Sequence, residues 1–405
     1  MTTPEHDAVP EHDAVPEHEA VEHTSDVIIV GAGIGGLTAA AALRRAGIGV
    51  RVYERATSLR PAGSGLSVMS NAVSALASIG IDLHLDKRGQ TIEVFHVLDE
   101  TGGLIQEQPL KAVTDRLGVP SVCVTRADLQ AALLEETDGV PLFLGKAVAG
   151  YTVEADGASV RFDDGTVVHG RAVVGADGFN SAIRRQVAGP EESTDSGYVC
   201  WLAVVPFARP HLPAGYVGHY WGSGRRVGLI DVGHGRYYWW GTMNMPAERS
   251  RHWTGDKEEI LLAYDGWADE VCDIIRETPE EAILAVPSHD RPFLEHWGEG
   301  PVTLLGDAAH PMLTSLGQGS AMAIEDAVVL SDCLAASPDD PAAAFRAYED
   351  QRRERTRTVV AASRSVSETE QLEDPEERRQ RDEGLRAADE PFLAGQLESL
   401  LRWPA

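Results

Sequence analysis

A glycine-rich turn between two apolar segments is the feature that most constrains the fold of this chain. The turn, Gly31-Ala-Gly-Ile-Gly-Gly36, follows the apolar run 27–30 and precedes an alanine-rich stretch, 37–46. That stretch is typical of a helix, and Gly47 is a typical residue for its end. The alternating segment 50–54 predicts the next strand. Because a strand, a helix and a strand in about 30 residues form a βαβ unit, we predict a parallel sheet.

The spacing of these glycines predicts a turn that binds a dinucleotide. Gly31 makes the tight turn, Gly33 lets the backbone approach a pyrophosphate, and Gly36 lets the helix pack closely on the strand. Glu54 follows Gly36 by 18 residues, and its carboxylate can accept hydrogen bonds from a ribose. An acidic residue there disfavours a 2′-phosphate, so the pocket suits FAD or NAD rather than NADPH. A βαβ turn without a ligand is the alternative.

A second glycine motif lies near the carboxyl end of the chain. Residues 306–311, Gly-Asp-Ala-Ala-His-Pro, follow the apolar run 302–305, and residues 317–319, Gly-Gln-Gly, open a predicted helix over 320–335. An aspartate after a buried strand can accept hydrogen bonds from a polyol. The first N–H groups of the helix can stabilise negative charge on a ligand. The alternative is a helix cap and a glycine turn that only pack.

Two further segments carry candidate cofactor contacts. Residues 174–185, Val-Gly-Ala-Asp-Gly-Phe-Asn-Ser-Ala-Ile-Arg-Arg, combine an Asp-Gly turn with the start of a helix, and Arg184 or Arg185 can pair with a phosphate. Arg126 opens a predicted helix over 126–136 and can reach a phosphate or Asp307. A plain turn and exposed arginines without partners are the alternatives.

The three motifs, in this order and spacing, resemble those of the para-hydroxybenzoate hydroxylase family, the single-component FAD-dependent monooxygenases. The resemblance covers nearly all of residues 26–365. Within the family, the chain is similar to the branch of salicylate and 3-hydroxybenzoate hydroxylases and zeaxanthin epoxidase. It implies an α/β chain with a Rossmann-type, glutathione-reductase-like FAD-binding domain. An interleaved α+β substrate domain with a mainly antiparallel sheet is expected beside it.

The resemblance also implies a reaction. NADPH or NADH, bound transiently, reduces tightly bound FAD, and a flavin C4a-hydroperoxide then hydroxylates or epoxidises a small aromatic or unsaturated substrate. Such chemistry belongs to the flavin and needs a dry pocket. The segment 196–245 is rich in aromatic residues that can roof such a pocket, although most of them are expected to be core.

The predicted site residues follow from the glycine chemistry and the resemblance together. The resemblance places Asp307 at the ribityl chain, Arg126 at FAD, and Asp177 where it supports FAD and the nicotinamide cofactor. The full predicted cofactor set is Gly31, Gly33, Ile34, Gly35, Gly36, Glu54, Arg55, Arg126, Asp177, Gly306, Asp307, Gly317, Gln318 and Gly319. No catalytic base is identified, and the candidates are His310, Pro311 and Gln318 by position and Tyr216, His219 and Tyr237 by type.

One departure from the family pattern concerns the substrate. Many relatives carry Trp-Arg-Gly where this chain has Trp201-Leu-Ala. If that arginine meets an acidic substrate, this chain has lost it, which argues against a carboxylated aromatic. The Trp-x-Trp-x-Ile-Pro run of flavin-dependent halogenases is absent as well. A halogenase or reductase on the same fold, or a non-catalytic flavin-binding scaffold, stays as the alternative.

Length, charge and cysteine content limit the partners. The 405 residues are too many for one ordinary core and predict two lobes. A net charge of −28 repels phosphate backbones and anionic lipids, so neither nucleic acid nor a membrane is an expected partner. Four cysteines without a C-x-x-C pair favour a reducing, cytoplasmic location. A monomer or homodimer is expected, with no metal site, and with the substrate and O₂ as partners.

The chain is expected to divide into four kinds of segment. Three proline-containing repeats close to Pro-Glu-His-Asp-Ala-Val cannot build a core, so residues 1–24 are predicted to be a disordered acidic leader. The expected FAD-binding domain is discontinuous, with residues 25–95, 119–190 and 290–365. The expected substrate domain has residues 96–118 and 191–289, and a helical tail covers 366–405.

Overall fold

The computed structural model describes residues 25–59 and 63–404. The predicted leader, residues 1–24, lies outside the described residues. Within the described part of the chain, strands and helices alternate up to about residue 320 and helices follow to the end. None of the described helices is both long and apolar enough to cross a membrane.

The strands are short and number seventeen within the described residues. Their bounds are β1 (Ser25–Val30), β2 (Val50–Tyr53), β3 (Gly65–Val68), β4 (Gln90–Thr91), β5 (Val94–Asp99), β6 (Leu104–Glu107), β7 (Val122–Thr125), β8 (Leu142–Phe143), β9 (Val148–Glu154), β10 (Gly157–Phe162), β11 (Val167–Gly175), β12 (Thr194–Pro206), β13 (Tyr216–Trp221), β14 (Arg225–Asp231), β15 (Arg236–Asn244), β16 (Leu284–Asp290) and β17 (Val302–Leu304).

Thirteen α-helices and three short 3₁₀ turns complete the described chain. The helices are α1 (Ile34–Arg45), α2 (Ser70–Ser78), α3 (Leu85–Arg88), α4 (Leu110–Leu117), α5 (Arg126–Glu136), α6 (Ala182–Ala188), α7 (Ala247–Arg251), α8 (Lys257–Ala263), α9 (Asp269–Glu277), α10 (Gly319–Ala336), α11 (Pro341–Glu370), α12 (Pro375–Ala387) and α13 (Glu390–Leu401). The 3₁₀ turns are Glu280–Ala282, Gly306–Ala308 and Thr314–Leu316.

The first large sheet has the order β8-β2-β1-β11-β10-β9, with β17 paired to β11. Strand β1 lies parallel to β2 and β11, and β17 lies parallel to β11, whereas β9, β10 and β11 form an antiparallel meander. Residues 27–30 are at most 3% exposed, because helices cover this parallel region, which explains their continuous apolar run. The predicted βαβ unit is confirmed, although α1 begins at Ile34 and so includes two glycines of the turn.

The second large sheet has the order β16-β12-β15-β14-β13-β5-β6. Its pairs are antiparallel except for β13 with β5, so the prediction of a mainly antiparallel sheet beside a Rossmann-type sheet is confirmed. One face packs against α8 and α9. Most of the aromatic residues of segment 196–245 are buried on that face as core, as predicted: Trp201, Tyr216, Tyr220, Tyr237 and Trp239.

A small third sheet joins the two large ones. Its order is β3-β7-β4. The hydroxyl of Ser320, in the first turn of α10, donates to the carbonyl of Ser67 on β3 at 3.3 Å. On the other side of β3, a Cβ on Gly65 would lie 2.6 Å from the Tyr238 side chain on β15. The third sheet therefore sets the distance between the start of α10 and the second sheet.

The last two helices bind the second sheet to the rest of the protein. Arg378 of α12 pairs with Glu100 at 2.8 Å, and Gln106 of β6 donates to the carbonyl of Leu385. Near the end of α13, the carbonyl of Leu400 accepts from Arg355 of α11 at 3.0 Å. The chain end thus contacts both the β5–β6 hairpin and the long helix α11.

Candidate active site

The first glycine turn is close-packed where the chain needs it and open where a ligand is expected. Gly31 has φ +106°, and a Cβ there would lie 2.3 Å from the carbonyl oxygen of Ala176. A Cβ on Gly36 would lie 2.0 Å from the carbonyl oxygen of Gly31. No described atom lies within 4 Å of the Cβ position of Gly33. Two of the glycines are therefore required by packing, and the third faces free space at the N-terminus of α1.

Glu54 lies beside this free space at the end of β2. Its two carboxylate oxygens accept hydrogen bonds from the backbone N–H groups of Ala32 and Ala56, each at 2.8 Å. A carboxylate has about four acceptor positions, so two remain for ligand hydroxyls. The neighbouring Arg55 is exposed. The geometry of Glu54 fits the predicted contact with a ribose.

The two glycine motifs lie directly against each other. A Cβ on Gly35 would lie 2.6 Å from the Leu305 side chain and 3.3 Å from the Ala323 side chain. Leu305 precedes the second motif, and Ala323 belongs to α10. Ile34 is buried beside Gly35. Segments almost three hundred residues apart in the sequence therefore form one continuous surface, as the prediction of a single dinucleotide site requires.

Asp307 is a free carboxylate on the wall of the resulting cleft. The residue is exposed to water, and no described residue donates a hydrogen bond to its side chain. The surrounding protein nevertheless raises its pKa, against the opposing charges of His310 and Arg126. A Cβ on Gly319 would lie 3.9 Å from its Oδ1 atom. An accessible carboxylate with an unfilled hydrogen-bonding capacity fits the polyol chain of the predicted cofactor.

Glycine geometry shapes the loop on either side of Asp307. Gly306 has φ +61°, and a Cβ there would lie 3.0 Å from the Ala323 side chain. Gly317 also has φ +61° and no described atom near its Cβ position.

Arg126 is exposed at the start of α5, and it does not form the direct pair with Asp307 that the sequence left open.

His310, a candidate for the catalytic base, is buried in a contact with Asp326. Its Nε2 atom lies 2.6 Å from Oδ2 of Asp326, and both side chains have 0% exposure. The same oxygen accepts from the backbone N–H of Gly306 at 3.1 Å, and Oδ1 accepts from Arg352 at 2.7 Å. Although burial raises the pKa of Asp326, the charges of His310 and Arg352 hold it below its ordinary value. Pro311 is buried next to this group.

Gln318, another catalytic candidate, is also buried. Its Oε1 accepts from Asn71 of α2 at 3.0 Å, and the same Asn71 amide donates to Glu325 at 2.7 Å. Glu325 is in turn paired with Arg352 and Arg355, each at 2.7 Å. The Nε2 of Gln318 and the Oδ1 of Asn71 are buried without a described partner. Beneath the first turn of α10, one hydrogen-bond donor and one acceptor are therefore without a partner among the described residues.

The Asp-Gly segment positions the glycine turn rather than facing a ligand with its carboxylate. Asp177 accepts from the Ser181 hydroxyl at 2.5 Å and from the backbone N–H of Ala182 at 2.7 Å, so it caps α6. Burial raises its pKa, although these hydrogen bonds oppose the shift. The Cα atom of Asp177 would lie 3.0 Å from a Cβ on Gly31. Asp177 therefore supports the first motif through its backbone.

Arg184 is not available to a cofactor phosphate, contrary to one of the sequence-based alternatives. It is 2% exposed, and it pairs with Glu191 at 2.7 Å. It also donates to the carbonyls of Ala308 and Ala309 at 3.2 and 2.7 Å. The guanidinium thus holds the segment that follows Asp307. Arg185 is exposed, and it donates to the carbonyl of Asn180.

The second large sheet turns one face toward the cleft. We call it the inner face, and it is made by Cys200, Leu202, His219, Tyr238 and Trp240. Strand register places Leu202 opposite Trp240, and Gly228 between Trp240 and His219. Because Gly228 has no side chain, the Trp240 indole lies over its backbone. The rings of Trp240 and His219 therefore meet edge to face, with their centroids 5.2 Å apart.

Residues of the inner face are partly accessible yet strongly desolvated. Burial lowers the pKa of His219 to about 3, with a further contribution from Arg226, and raises the pKa of Cys200 to about 11. Both residues are nevertheless only half-buried. Tyr238 and Trp240 of the same face pack against the hydrophobic cluster that contains Met69, Ala394 and Leu401.

The structure separates the catalytic candidates that were chosen by residue type. Tyr216 and Tyr237 are buried on the opposite face of the sheet, whereas His219 lies on the inner face. The roles of Arg352 and Arg355 were not predicted from the sequence. The pair Glu325-Asp326 inside an apolar helix was the available signal, since two buried carboxylates require cationic partners elsewhere in the chain.

Comparison with known proteins matches most of the described chain. The family model described as "FAD binding domain" matches residues 24–363. The chain is 37% identical over 347 residues to the aurachin C monooxygenase/isomerase of Stigmatella aurantiaca, covering 86% of this chain and 90% of that protein. It is 32% identical over 339 residues to an FAD-dependent urate hydroxylase of Klebsiella pneumoniae subsp. pneumoniae, covering 83% and 88%.

A solved structure gives the same result at the level of coordinates. The crystal structure of Klebsiella pneumoniae HpxO complexed with FAD and uric acid is similar to this protein with a TM-score of 0.86 and 28% identity. The match covers 95% of this chain and 98% of that one. Both large sheets and the glycine motifs lie within residues 24–363, the range that the family model matches.

Proposed function

The chain belongs to the FAD binding domain family and is an FAD-dependent monooxygenase, and from this premise we propose that NADPH or NADH reduces its flavin for oxygen insertion into a small aromatic or unsaturated substrate. The predicted family and enzyme class are confirmed. The observation that carries the proposal is the convergence of two glycine motifs on one surface, and we propose that the inner face forms the roof of a substrate chamber above it. When bound, FAD supplies the redox chemistry and the activation of O₂.

We propose that the cleft holds FAD with groups from both motifs. The free space at Gly33 and the N-terminus of α1 suit the pyrophosphate, and the unused acceptor positions of Glu54 suit the ribose. The free carboxylate of Asp307 suits the ribityl hydroxyls. The first turn of α10, at Gly319, directs N–H groups and a positive helix dipole at the flavin.

Buried groups of the chain keep this cleft in shape. Asp326 fixes Gly306 and His310, and Arg184 fixes the carbonyls of Ala308 and Ala309. All of these groups act on the backbone near Asp307. Preorganised N–H groups and carboxylates stabilise charge without reorganisation cost, which is how the chain contributes to catalysis.

The inner face excludes water and orients the substrate. Trp240 and Tyr238 present rings to the chamber, and His219 presents a neutral imidazole at neutral pH, because its pKa lies near 3. The imidazole can exchange a hydrogen bond with a substrate hydroxyl. The chain has no second G-x-G-x-x-G motif, so we propose that the nicotinamide cofactor binds transiently on the surface of the cleft.

The domain division expected from the sequence is also proposed here. The first sheet draws its strands from the expected FAD-binding segments, and the second draws most of its strands from the expected substrate segments. Strand β5 begins two residues before the expected boundary at residue 96. Four free cysteines support a reducing, cytoplasmic location, and we expect a monomer or a homodimer.

The test is turnover with labelled oxygen. Purified protein is expected to be yellow and to lose that colour with dithionite. NADPH or NADH oxidation should consume O₂, should be stimulated by the substrate, and should give a product that carries one atom from ¹⁸O₂. Steady consumption of the reductant without an oxygenated product in a broad screen would favour the reductase alternative. Flavin binding without any consumption would favour the scaffold.

A further inference from the structure

A buried amide of helix α2 holds the residue that opens α10. The side-chain NH₂ group of Asn71 donates one hydrogen bond to Oε1 of Gln318 at 3.0 Å and one to Oε1 of Glu325 at 2.7 Å. Because an NH₂ group has two donor positions, this bridge uses both. Asn71 and Glu325 are 0% exposed, and Gln318 is 1% exposed. No ligand reaches these side chains, so their effect on the site passes through the backbone of α10.

Glu325 determines the direction of the bridge. Its carboxylate is paired with Arg352 and Arg355 of α11, each at 2.7 Å, so it acts as an acceptor. The amide of Asn71 must turn its NH₂ group toward this carboxylate, because its own oxygen is an acceptor as well. The second donor of the same NH₂ group then fixes the side-chain oxygen of Gln318. The position of Gln318 is thus set from helices α2 and α11.

Glycines flank Gln318 on both sides, so its side chain is important for the shape of the turn. Gln318 is the N-cap residue of α10, and its carbonyl accepts from the N–H of Met322 at 2.8 Å. Gly317 before it has φ +61° and no described atom within 4 Å of its Cβ position. The hydroxyl of Ser320 adds a longer contact, of 3.3 Å, to β3. The Gln318 side chain is therefore the buried anchor of a turn whose flanking residues have no side chains.

We propose that Asn71 is a positioning residue for the flavin, because its bridge fixes the first turn of α10. This inference rests on the proposed function, which places the flavin at that turn. Gly319 and Ser320 are half-buried, whereas Gln318 is buried, so the turn is accessible while its anchor lies inside. The first N–H groups and the positive end of the helix dipole stabilise negative charge on a reduced flavin. Their position therefore affects the reduction potential of the bound flavin.

The bridge favours a fixed orientation over maximal stability. The Nε2 atom of Gln318 and the Oδ1 atom of Asn71 are buried without a partner among the described residues. A buried polar atom without a partner costs free energy, and an apolar pair of the same shape would leave no such atom. Hydrogen bonds are directional, however, and apolar contacts are not. A polar bridge that retains this cost fits a positioning role.

The reduction potential of the bound flavin tests this inference. Asn71→Ala removes the bridge, so the first turn of α10 should become looser and should stabilise the reduced flavin less. The equilibrium constant for reduction should fall about tenfold, the effect of losing one hydrogen bond to a charged group, which is about 30 mV for a two-electron couple. The holoprotein is reduced beside a dye of known potential, without NAD(P)H, oxygen or substrate. An unchanged potential in Asn71→Ala overturns the proposal.

Ser70→Ala is the matched control on the same helix. Ser70 is 0% exposed, and its hydroxyl contacts the carbonyl of Val119 at 2.9 Å and the hydroxyl of Ser121 at 3.0 Å. Neither contact leads to α10. Ser70→Ala should therefore lower the urea midpoint of unfolding, as Asn71→Ala does, and leave the reduction potential unchanged. Equal shifts of the potential in both variants overturn the proposal, because they would show a general loosening of α2.

Gln318→Met decides the case if Asn71→Ala does not bind FAD. The new side chain has nearly the same length but no amide, and the contact of Asn71 with Glu325 stays in place. This variant should lower the potential by a similar amount, and an unchanged potential overturns the proposal. Because the measurement uses neither NAD(P)H nor oxygen, its failure is distinct from a failure of NAD(P)H-dependent oxygenation, which would contradict the proposed function instead.

Discussion

The Nε2 atom of His310 lies 2.6 Å from Oδ2 of Asp326, deep in the protein, where neither side chain is exposed. Asp326 also accepts from the backbone of Gly306. It thereby fixes both ends of the five-residue segment whose second member is Asp307. The position of a carboxylate proposed to meet the cofactor thus depends on a second carboxylate that meets no ligand.

Replacement of Asp326 tests this dependence. Asp326→Asn removes one of the two buried carboxylates that pair with Arg352, and the loss of a buried ion-pair partner costs about 3 to 5 kcal/mol. Urea unfolding of the holoprotein measures the change. Asp350→Asn is the control, because its ion pair with Arg353 is on the surface and should contribute less than about 1 kcal/mol. Similar losses in both variants would contradict the structural role of Asp326.

Replacement of Asp307 should act on the cofactor instead of the fold. Asp307→Ala removes a carboxylate that has no described partner, so the apoprotein should unfold at nearly the wild-type urea concentration. Its Kd for FAD, measured by flavin fluorescence, should rise at least about tenfold, since a hydrogen bond to a charged group contributes roughly 1.5 to 3 kcal/mol. Asp332→Ala is the control, because Asp332 is an exposed aspartate of α10. Unchanged FAD affinity in Asp307→Ala would remove Asp307 from the site.

Two glycines of the first turn should respond in opposite ways to alanine. Gly33→Ala should change the free energy of unfolding of the apoprotein by less than about 1 kcal/mol, because its Cβ meets no described atom. It should still weaken FAD binding, since the methyl group enters the proposed pyrophosphate space. Gly36→Ala should cost about 3 kcal/mol or more, because its Cβ would overlap the carbonyl of Gly31. Wild-type FAD affinity in Gly33→Ala would show that the open space is not the pyrophosphate site.

His219 should make stability depend on pH. Its pKa is lowered from 6.5 to about 3 by burial, so the unfolded chain binds a proton that the folded chain refuses between these values. The contribution of His219 to the free energy of unfolding is complete above pH 6.5. It is lost as the pH falls toward 3, and the free energy of unfolding then decreases by about 1.4 kcal/mol per pH unit.

His219→Phe keeps a ring but removes this titration. Between pH 6 and pH 4 its unfolding free energy, measured in urea with saturating FAD, should fall less steeply than that of the wild type by about one proton equivalent. His84→Phe, on an exposed residue, serves as the control. Parallel pH curves for wild type and His219→Phe would show that the imidazole is not desolvated.

Local patterns of the sequence predicted the elements well, because they depend on neighbouring residues. The helix predicted over 126–136 has those bounds, and the helix predicted from 320 begins at Gly319. The glycine chemistry at Gly31 and Gly36 was also readable, since the tight turn and the close packing are consequences of the turn itself. The parallel sheet followed from the βαβ unit, whereas the FAD-binding domain with an interleaved substrate domain was what the family resemblance implied.

Long-range polar contacts were not predictable, because their partners are specified only after the chain has folded. Arg184 was read as a possible phosphate ligand, yet it is used by Glu191 and by carbonyls more than a hundred residues away. The Arg226–Glu370 pair joins residues 144 positions apart. Nothing in the sequence near either residue indicates that a strand and the end of a long helix meet there.

The contacts of α12 with the β5–β6 hairpin and of α13 with α11 also constrain how the protein can diverge. Arg378 pairs with Glu100, and Leu385 accepts from Gln106, while Leu400 is held by the same helix that ends at Glu370. A lineage that remodels its chamber through the hairpin must therefore alter its last thirty residues in step. Chimeras that exchange one of these two segments without the other would carry mismatched halves of a single interface.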